Sequence, residues 1–314
     1  MPLTTEITIS LPEVDMHFYK PRNPVTVPIT KSEIATDSSS PNFVRHIEFD
    51  VSGTDLENRI VPGQSVGVIA EGTDENGRPH KVRLYSSCSP SGGEDGEGKI
   101  YATTVKRVID EHWETQELFL GVCSNYLCNR KAGDKILMTG PAGKRFILPE
   151  RPQDYNYLFF ATGTGIAPFR GMILDLLRMD YNNDLILAFG CPYRTDLLYK
   201  NLFEELDQKH SSFRYLKSVS REDPRADGTK PYVQYSLIDR ADLMKPILKK
   251  DNTLIYICGL KGMETGIFQI LAMMGMFDYL RVDDTLMKKD PAHWTRDELK
   301  TGVKPAERMF LEVY

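Results

Sequence analysis

Tyr155-Asn156-Tyr157-Leu158-Phe159-Phe160-Ala161-Thr162-Gly163-Thr164-Gly165-Ile166-Ala167-Pro168 decides the fold of the second half of this chain. Tyr155–Ala161 is an almost continuous apolar run of strand length, the pattern of a strand buried on both faces. Gly163 breaks it, and Ala167 to Arg178 reads as a helix, with Pro168 at an early position that tolerates proline. Leu185–Phe189, Phe213–Val219 and Leu254–Cys258 repeat the buried-strand signature, with amphipathic stretches between them. Strands alternating with helices imply an α/β domain with a doubly wound parallel sheet. Such sheets bind ligands beyond the carboxyl ends of their strands. Gly163, Ser220 and Gly259 each stand at such an end.

Upstream the rhythm differs. Short β-favouring runs at Phe43–Val51, Ser65–Ala70, Val82–Ser86, Lys99–Val108 and Lys135–Thr139 alternate with Gly and Asn turns. That spacing predicts an antiparallel β-barrel. Residues 1–40, with Pro12, Pro21, Pro24 and Pro28, read as an extended arm, and the Gly-rich acidic stretch Ser91–Gly98 as a surface turn. The chain of 314 residues is comfortable for two domains, a barrel over 1–150 and an α/β domain over 151–314.

Composition narrows the function. A content of 41% hydrophobic and 26% charged residues is that of a globular protein, and no run approaches the roughly 20 apolar residues of a membrane span. The first twenty residues carry Glu6, Glu13 and Asp15, lack an apolar core and are not Arg-rich, unlike a secretory signal or a transit peptide. A bacterial cytoplasmic protein fits, with a mature organellar chain as the open alternative. A net charge of −5 gives a nucleic-acid role no electrostatic support. Up to Glu150, 16 Lys and Arg face 21 Asp and Glu, so docking of an acidic partner would need a local basic patch. The clustered Lys106-Arg107, Arg130-Lys131 and Lys144-Arg145 are the candidates. Five scattered cysteines, Cys88, Cys123, Cys128, Cys191 and Cys258, lack zinc-site spacing and read as reduced thiols, so no metal is expected.

Several strings carry chemistry. In Arg83-Leu84-Tyr85-Ser86, strand alternation puts Arg83 and Tyr85 on one side. A guanidinium suits a pyrophosphate by forked hydrogen bonding, and a tyrosine ring can cover a planar heterocycle. Alone, the pair reads more readily as an exposed base and a strand tyrosine. Gly121-Val122-Cys123-Ser124-Asn125 reads as a loop entering a helix, where Ser124 can cap the start and backbone amides suit a phosphate. The glycines of Gly163-Thr164-Gly165 let backbone approach a diphosphate, although the third glycine of the dinucleotide fingerprint is missing. Ser220-Arg221, with Lys230 and Tyr232, offers the cationic forked donors that a ribose phosphate requires, where NAD sites place a carboxylate.

Together and in this order, these strings resemble the plant-type ferredoxin–NADP(+) reductases, in their plastid-like branch. The resemblance runs from about Phe18 to Tyr314 and includes Pro62–Ala70 and Asp74–Lys81. It implies a flavoenzyme that exchanges electrons between NADP(H) and a one-electron carrier, ferredoxin or flavodoxin, with monomer as the default state. It places FAD against Arg83, Leu84, Tyr85, Ser86, Thr104, Val105, Lys106, Val122, Cys123 and Ser124. NADP(H) falls to Lys106, Thr164, Cys191, Pro192, Ser220, Arg221, Lys230, Tyr232, Gln234, Gly259, Leu260 and Glu264. Ser86 would orient the reactive flavin nitrogen and Cys258 would border the nicotinamide. Glu312 would supply charge and a proton route, and Tyr314, an aromatic last residue, would cover the second flavin face. One departure stands out: the relatives' adenine-stacking tyrosine after Val105-Lys106-Arg107 is Asp110 here, leaving Trp113, Tyr101 or neither to replace it. The rival activity is an NADPH-dependent flavin reductase serving a haem protein or oxygenase.

Overall fold

In the computed structural model, which describes residues 9–314, the first half is a barrel. Its strands are β1 (Val25–Ile34), β2 (Val44–Asp50), β3 (Ser65–Ile69), β4 (Arg83–Ser86) and β5 (Ile100–Lys106). A hairpin of β6 (Ile109–Glu111) and β7 (Leu118–Leu120) then leads into α1 (Val122–Cys128), and β8 (Lys135–Ala142) completes the half. The six strands outside the hairpin pair antiparallel in the order β4-β3-β8-β1-β2-β5. The two edges meet where Ser87, just beyond β4, bridges to Thr103 of β5, whose hydroxyl donates to the Ser86 carbonyl at 2.9 Å. This bridge brings the two ends of the sheet together, as in a closed barrel. Val27, Ile29, Ile47, Phe49, Val66, Val68, Tyr101 and Met138 fill the interior.

Two expectations need correction here. The supposed arm contains β1, a central strand paired to both β2 and β8. Val25, Val27 and Ile29 alternate as a strand should, and Pro28 is tolerated because the register already shifts between Ile29 and Lys31. The acidic turn is not free surface either. Ser91 donates from its amide and hydroxyl to the Asp175 carboxylate, and Glu94 receives both terminal nitrogens of Arg170. Composition could not reveal partners this far along the chain.

The second half runs β9 (Asn156–Thr162), α2 (Ala167–Arg178), β10 (Leu185–Cys191), α3 (Lys200–Lys209), β11 (Phe213–Val219), α4 (Ser236–Asp239), α5 (Ala241–Leu248), β12 (Thr253–Gly259) and α6 (Met263–Met273). An antiparallel pair follows, β13 (Leu280–Val282) with β14 (Val303–Pro305), with α7 (Asp284–Met287) and α8 (Arg296–Gly302) between them. The last strand is β15 (Met309–Val313). The five-stranded sheet is parallel, in the order β11-β10-β9-β12-β15. Every residue of β10 and β12 is buried, which is why these segments read as unbroken apolar runs. Alternate residues of β9 feed two cores, Tyr157 and Phe159 on one face and Leu158 and Phe160 on the other. Among the described residues, no helix is long and apolar enough to cross a membrane.

The barrel and the α/β half are joined by polar contacts. The Tyr199 hydroxyl lies 2.6 Å from that of Thr104 and 2.9 Å from Nδ1 of His46. Arg170 donates to the Cys88 carbonyl at 2.8 Å, and Ser40 and Asn42 both donate to the Asp196 carboxylate. Burial works against charge on both His46 and Cys88, yet their proximity raises the imidazole pKa and lowers that of the thiol. Ligand atoms of His46, Cys88 and Glu94 lie within 4.8 Å of one another. Because Arg170 and Ser89 already engage the Glu94 carboxylate, this cluster is a hydrogen-bonded joint rather than a metal centre.

Candidate functional site

The barrel presents one group of donors. Arg83 and Leu84 are exposed on β4, and the Arg83 guanidinium makes one 3.4 Å contact, to its neighbour's carbonyl. Tyr85 is half-buried against Cys123, and burial raises the pKa of both. At the start of α1, a Cβ on Gly121 would stand 2.6 Å from Ser124 Oγ and 2.9 Å from Val108 Cβ, so the approach requires glycine. Ser124 does not cap this helix. It lies in the third helical position, where its hydroxyl donates back to the Gly121 carbonyl and accepts from the Val108 amide. The Val122, Cys123 and Ser124 amides therefore find no acceptor among the described residues, as expected of a helix start. Unengaged amides, a free guanidinium and a tyrosine ring fit a cofactor with a diphosphate and a planar ring system.

Three barrel segments have these placements. Val105 points into the barrel core and the Thr104 hydroxyl is taken by Tyr199, so neither offers a side chain to the cleft, whereas Lys106 is exposed. Tyr101 is fully buried and donates to the Ser91 carbonyl, which removes it as an adenine platform, while Trp113 is 84% exposed. Of the basic pairs, Arg107 is tied to Asn125, Asn129 and the Cys128 carbonyl, and Arg130 stacks on Tyr126 and pairs with Glu71. Lys106, Lys131, Lys144 and Arg145 remain exposed.

Across the interface the strand ends of the sheet gather the second group. Packing alone requires glycine at Gly165, since its Cβ would fall 2.2 Å from the Cys258 carbonyl oxygen. Cys258 and Glu312 are register neighbours on β12 and β15. Burial keeps the Cys258 thiol protonated, reinforced by the Glu312 carboxylate. Burial alone raises Glu312 to about 7, and its buried Oε2 has no hydrogen-bond partner among the described residues. Gly259 crosses the end of β9 against Thr162, whose hydroxyl accepts from the Leu260 amide. Tyr314 continues β15, donating its amide to the Gly259 carbonyl and accepting from the Lys261 amide. The residue is 58% exposed overall, yet its hydroxyl end turns inward to lie 2.6 Å from that of Thr164.

Further along the same edge, the Ser220 amide and hydroxyl donate to the Cys191 carbonyl and the Arg221 amide to that of Pro192. Cys191 is buried and its pKa is pushed up to about 12 by burial. Arg221 is exposed and braced by Tyr193, to whose hydroxyl it donates at 2.9 Å. Tyr193, invisible as a site residue in the sequence, lies only two positions beyond Cys191. Lys230 is exposed and Tyr232 is 48% exposed. The Gln234 side chain lies against Gly266 of α6, and the Glu264 carboxylate accepts from the Gly262 amide at the start of that helix. An exposed guanidinium and ammonium flanked by a hydroxyl and an aromatic ring fit a phosphorylated ribose and its base.

The two groups meet. Ala167, directly after the Gly163–Ile166 turn, packs on Cys88 and Ala102, and Cys88 is two residues beyond Ser86. This geometry agrees with what the chain resembles. A family model described as an oxidoreductase NAD-binding domain matches residues 159–269. The ferredoxin–NADP reductase of Spirulina sp. is 40% identical over 273 residues, which cover 85% of this chain and 92% of the relative. The chloroplastic leaf isozyme 1 of Arabidopsis thaliana is 39% identical over 302 residues, covering 94% and 79%. A solved ferredoxin–NADP+ reductase of Plasmodium falciparum, determined with 2'P-AMP, shares the fold at a TM-score of 0.71. Its identity is 22%, with 96% of this chain and 100% of that one covered. A barrel with free phosphate donors, joined to a parallel sheet with a cationic strand edge and aligned with such relatives almost end to end, leaves one assignment: the chain belongs to the ferredoxin–NADP reductase family.

Proposed function

We propose that the two groups of donors form one catalytic cleft, with residues 1–150 as the FAD domain and 151–314 as the NADP(H) domain of a reductase that passes electrons between NADP(H) and ferredoxin. The observation that carries this reading is the packing of Ala167 on Cys88, which brings the nicotinamide-side turn against the strand that ends in Ser86. When bound, FAD supplies the conversion between two-electron hydride chemistry and one-electron transfer. Arg83 and the α1 amides hold its diphosphate, with Tyr85 against the ring system and Ser86 beside the reactive edge. Ser220, Arg221 and Lys230 bind the 2′-phosphate of NADP(H), and Tyr232 covers its adenine. Gln234, Leu260 and Glu264 border the adenosine side, while Cys191, Pro192 and Gly259 shape the strand-end floor.

Around the nicotinamide, Cys258 presents a neutral thiol. Glu312, with its pKa near 7, can hold or release a proton at Oε2 at physiological pH. The Tyr314 ring, tied to Thr164, covers the place the nicotinamide must take and has to leave before substrate engages. Lys106, Lys131, Lys144 and Arg145 make the basic surface for an acidic carrier, flavodoxin as well as ferredoxin. We also assign the protein to the cytoplasm as a monomer.

Anaerobic reduction tests the reading. NADPH should bleach the yellow protein much faster than NADH, and oxidised ferredoxin or flavodoxin should then restore the colour. A protein without bound flavin, or equal rates with both nucleotides, would overturn it.

A further inference from the structure

The hairpin of β6 and β7 is the most apolar exposed feature of the barrel. Ile109, Leu118, Phe119 and Leu120 are 53–72% exposed, and the hairpin projects directly from the start of α1. Solvated strands of this length gain nothing from such residues, so the row calls for an occupant.

Register separates its two faces. Asp110 stands opposite Phe119, with Ile109 opposite Leu120 and Glu111 opposite Leu118. Directly opposed residues share a face and neighbours along a strand alternate. Asp110 and Phe119 therefore lie together on one face, and Ile109, Leu118 and Leu120 on the other. Gly121, two residues after Phe119, continues the Phe119 face, and its amide donates to the Val108 carbonyl to close the hairpin. A Cβ on Gly121 would point at Ser124 Oγ, 2.6 Å away, so this face runs on into the turn that carries the unengaged amides. Two residues of strand span about 7 Å, so an exposed aromatic ring stands one short step from a phosphate-binding turn.

We infer that Phe119 is the platform on which the adenine of bound FAD stacks, across the hairpin from Asp110. This inference rests on the FAD reading above. An aromatic ring binds a purine through its face, independent of hydrogen-bond pattern. Trp113 lies in the turn between β6 and β7, at the end of the hairpin away from α1. The Asp110 carboxylate, already accepting its neighbour's amide, offers its remaining lone pairs to a hydroxyl or amino group of the adenosine.

The test compares flavins that possess and lack adenine. Holoenzymes of the unaltered protein, Phe119→Ala, Phe119→Tyr and Leu118→Ala are stripped and retitrated with FAD, FMN and riboflavin, following flavin fluorescence. Phe119→Ala should weaken FAD roughly tenfold, the loss of one base–aromatic stack, and leave FMN and riboflavin unchanged. Phe119→Tyr should retain FAD affinity, and Leu118→Ala on the opposite face should behave as the unaltered protein does. Unchanged FAD affinity in Phe119→Ala, equal weakening of all three flavins, or a selective loss with Leu118→Ala would overturn the inference. An unaltered protein that holds no flavin would instead overturn the FAD reading itself.

Discussion

The hydroxyls of Tyr314 and Thr164 lie 2.6 Å apart, which ties a ring at the end of β15 to the turn between β9 and α2. In the proposed cleft that turn borders the nicotinamide side, and ring and substrate would then compete twice, for a surface and for the Thr164 hydroxyl.

Tyr314→Ser should consequently tighten NADP+ binding by about 2 kcal/mol, from one aromatic contact and one hydrogen bond no longer displaced. Tyr314→Phe keeps the ring and loses only the link to Thr164, so its gain should be about half as large. Flavin difference spectra during NADP+ titration measure both. Unchanged affinity in the two variants would remove the gate.

Arg221 is exposed and oriented by the Tyr193 hydroxyl. Arg221→Ala should raise the NADPH Michaelis constant by about 1.5–3 kcal/mol in free-energy terms, the cost of a charge-assisted bond, and leave NADH nearly untouched. Tyr193→Phe should have the same selectivity at smaller size. Parallel steady-state kinetics with the two nucleotides decide it, and equal damage to both would mean that Arg221 reads no phosphate.

Glu312 makes stability depend on pH. Its folded pKa of about 7 lies above the ordinary 4.5, so the folded state holds the proton more tightly than the unfolded chain. Stability is then fully present below about 4.5, falls as pH rises toward 7, and stays lower above it. The loss is at most on the order of 3 kcal/mol. Glu312→Gln should abolish that slope, becoming more stable relative to the parent at pH 8 than at pH 5 in urea unfolding. Parallel curves for both proteins would show that the carboxyl is not held protonated.

Arg170 and Glu94 form a mostly buried pair at 2.7 Å between α2 and the barrel. Arg170→Ala leaves the mostly buried Glu94 carboxylate without its cation, held only by the Ser89 hydroxyl, and should cost about 3–5 kcal/mol. Adding Glu94→Gln should recover part of that loss. Unfolding free energies of the unaltered protein, the two single variants and the double variant provide the measurement, and additive losses would mean that the pair is not coupled.

The parts of this architecture that were legible are those written in local pattern. The runs at Tyr155–Ala161, Leu185–Phe189 and Leu254–Cys258 are buried on both faces, so burial prints itself on consecutive residues, whereas Phe213–Val219 is an edge strand that leaves Arg214 and Lys217 exposed. β1 is hidden in the sequence because Pro24 and Pro28 interrupt the alternation of Val25, Val27 and Ile29, and only the register shift beside Pro28 explains the exception. Motif strings led to Arg83 and the turn at the start of α1, but strings carry no information on pairing across space. Phe119 opposite Asp110, Tyr193 beneath Arg221 and Tyr199 beside His46 are relationships between segments, and each appears only once the chain is folded. Ser124 marks the same limit at close range, since a serine near a helix start bonds to its own turn instead of capping it.

The joint built from Tyr199, Thr104, His46, Arg170 and Asp196 has a thermodynamic meaning beyond positioning. Neither half can melt without stranding buried polar groups of the other, so heat should dissolve the barrel and the sheet in a single calorimetric transition. Two architectural domains would then count as one cooperative unit, and a lesion far out on the sheet would lower the melting temperature of the barrel as well.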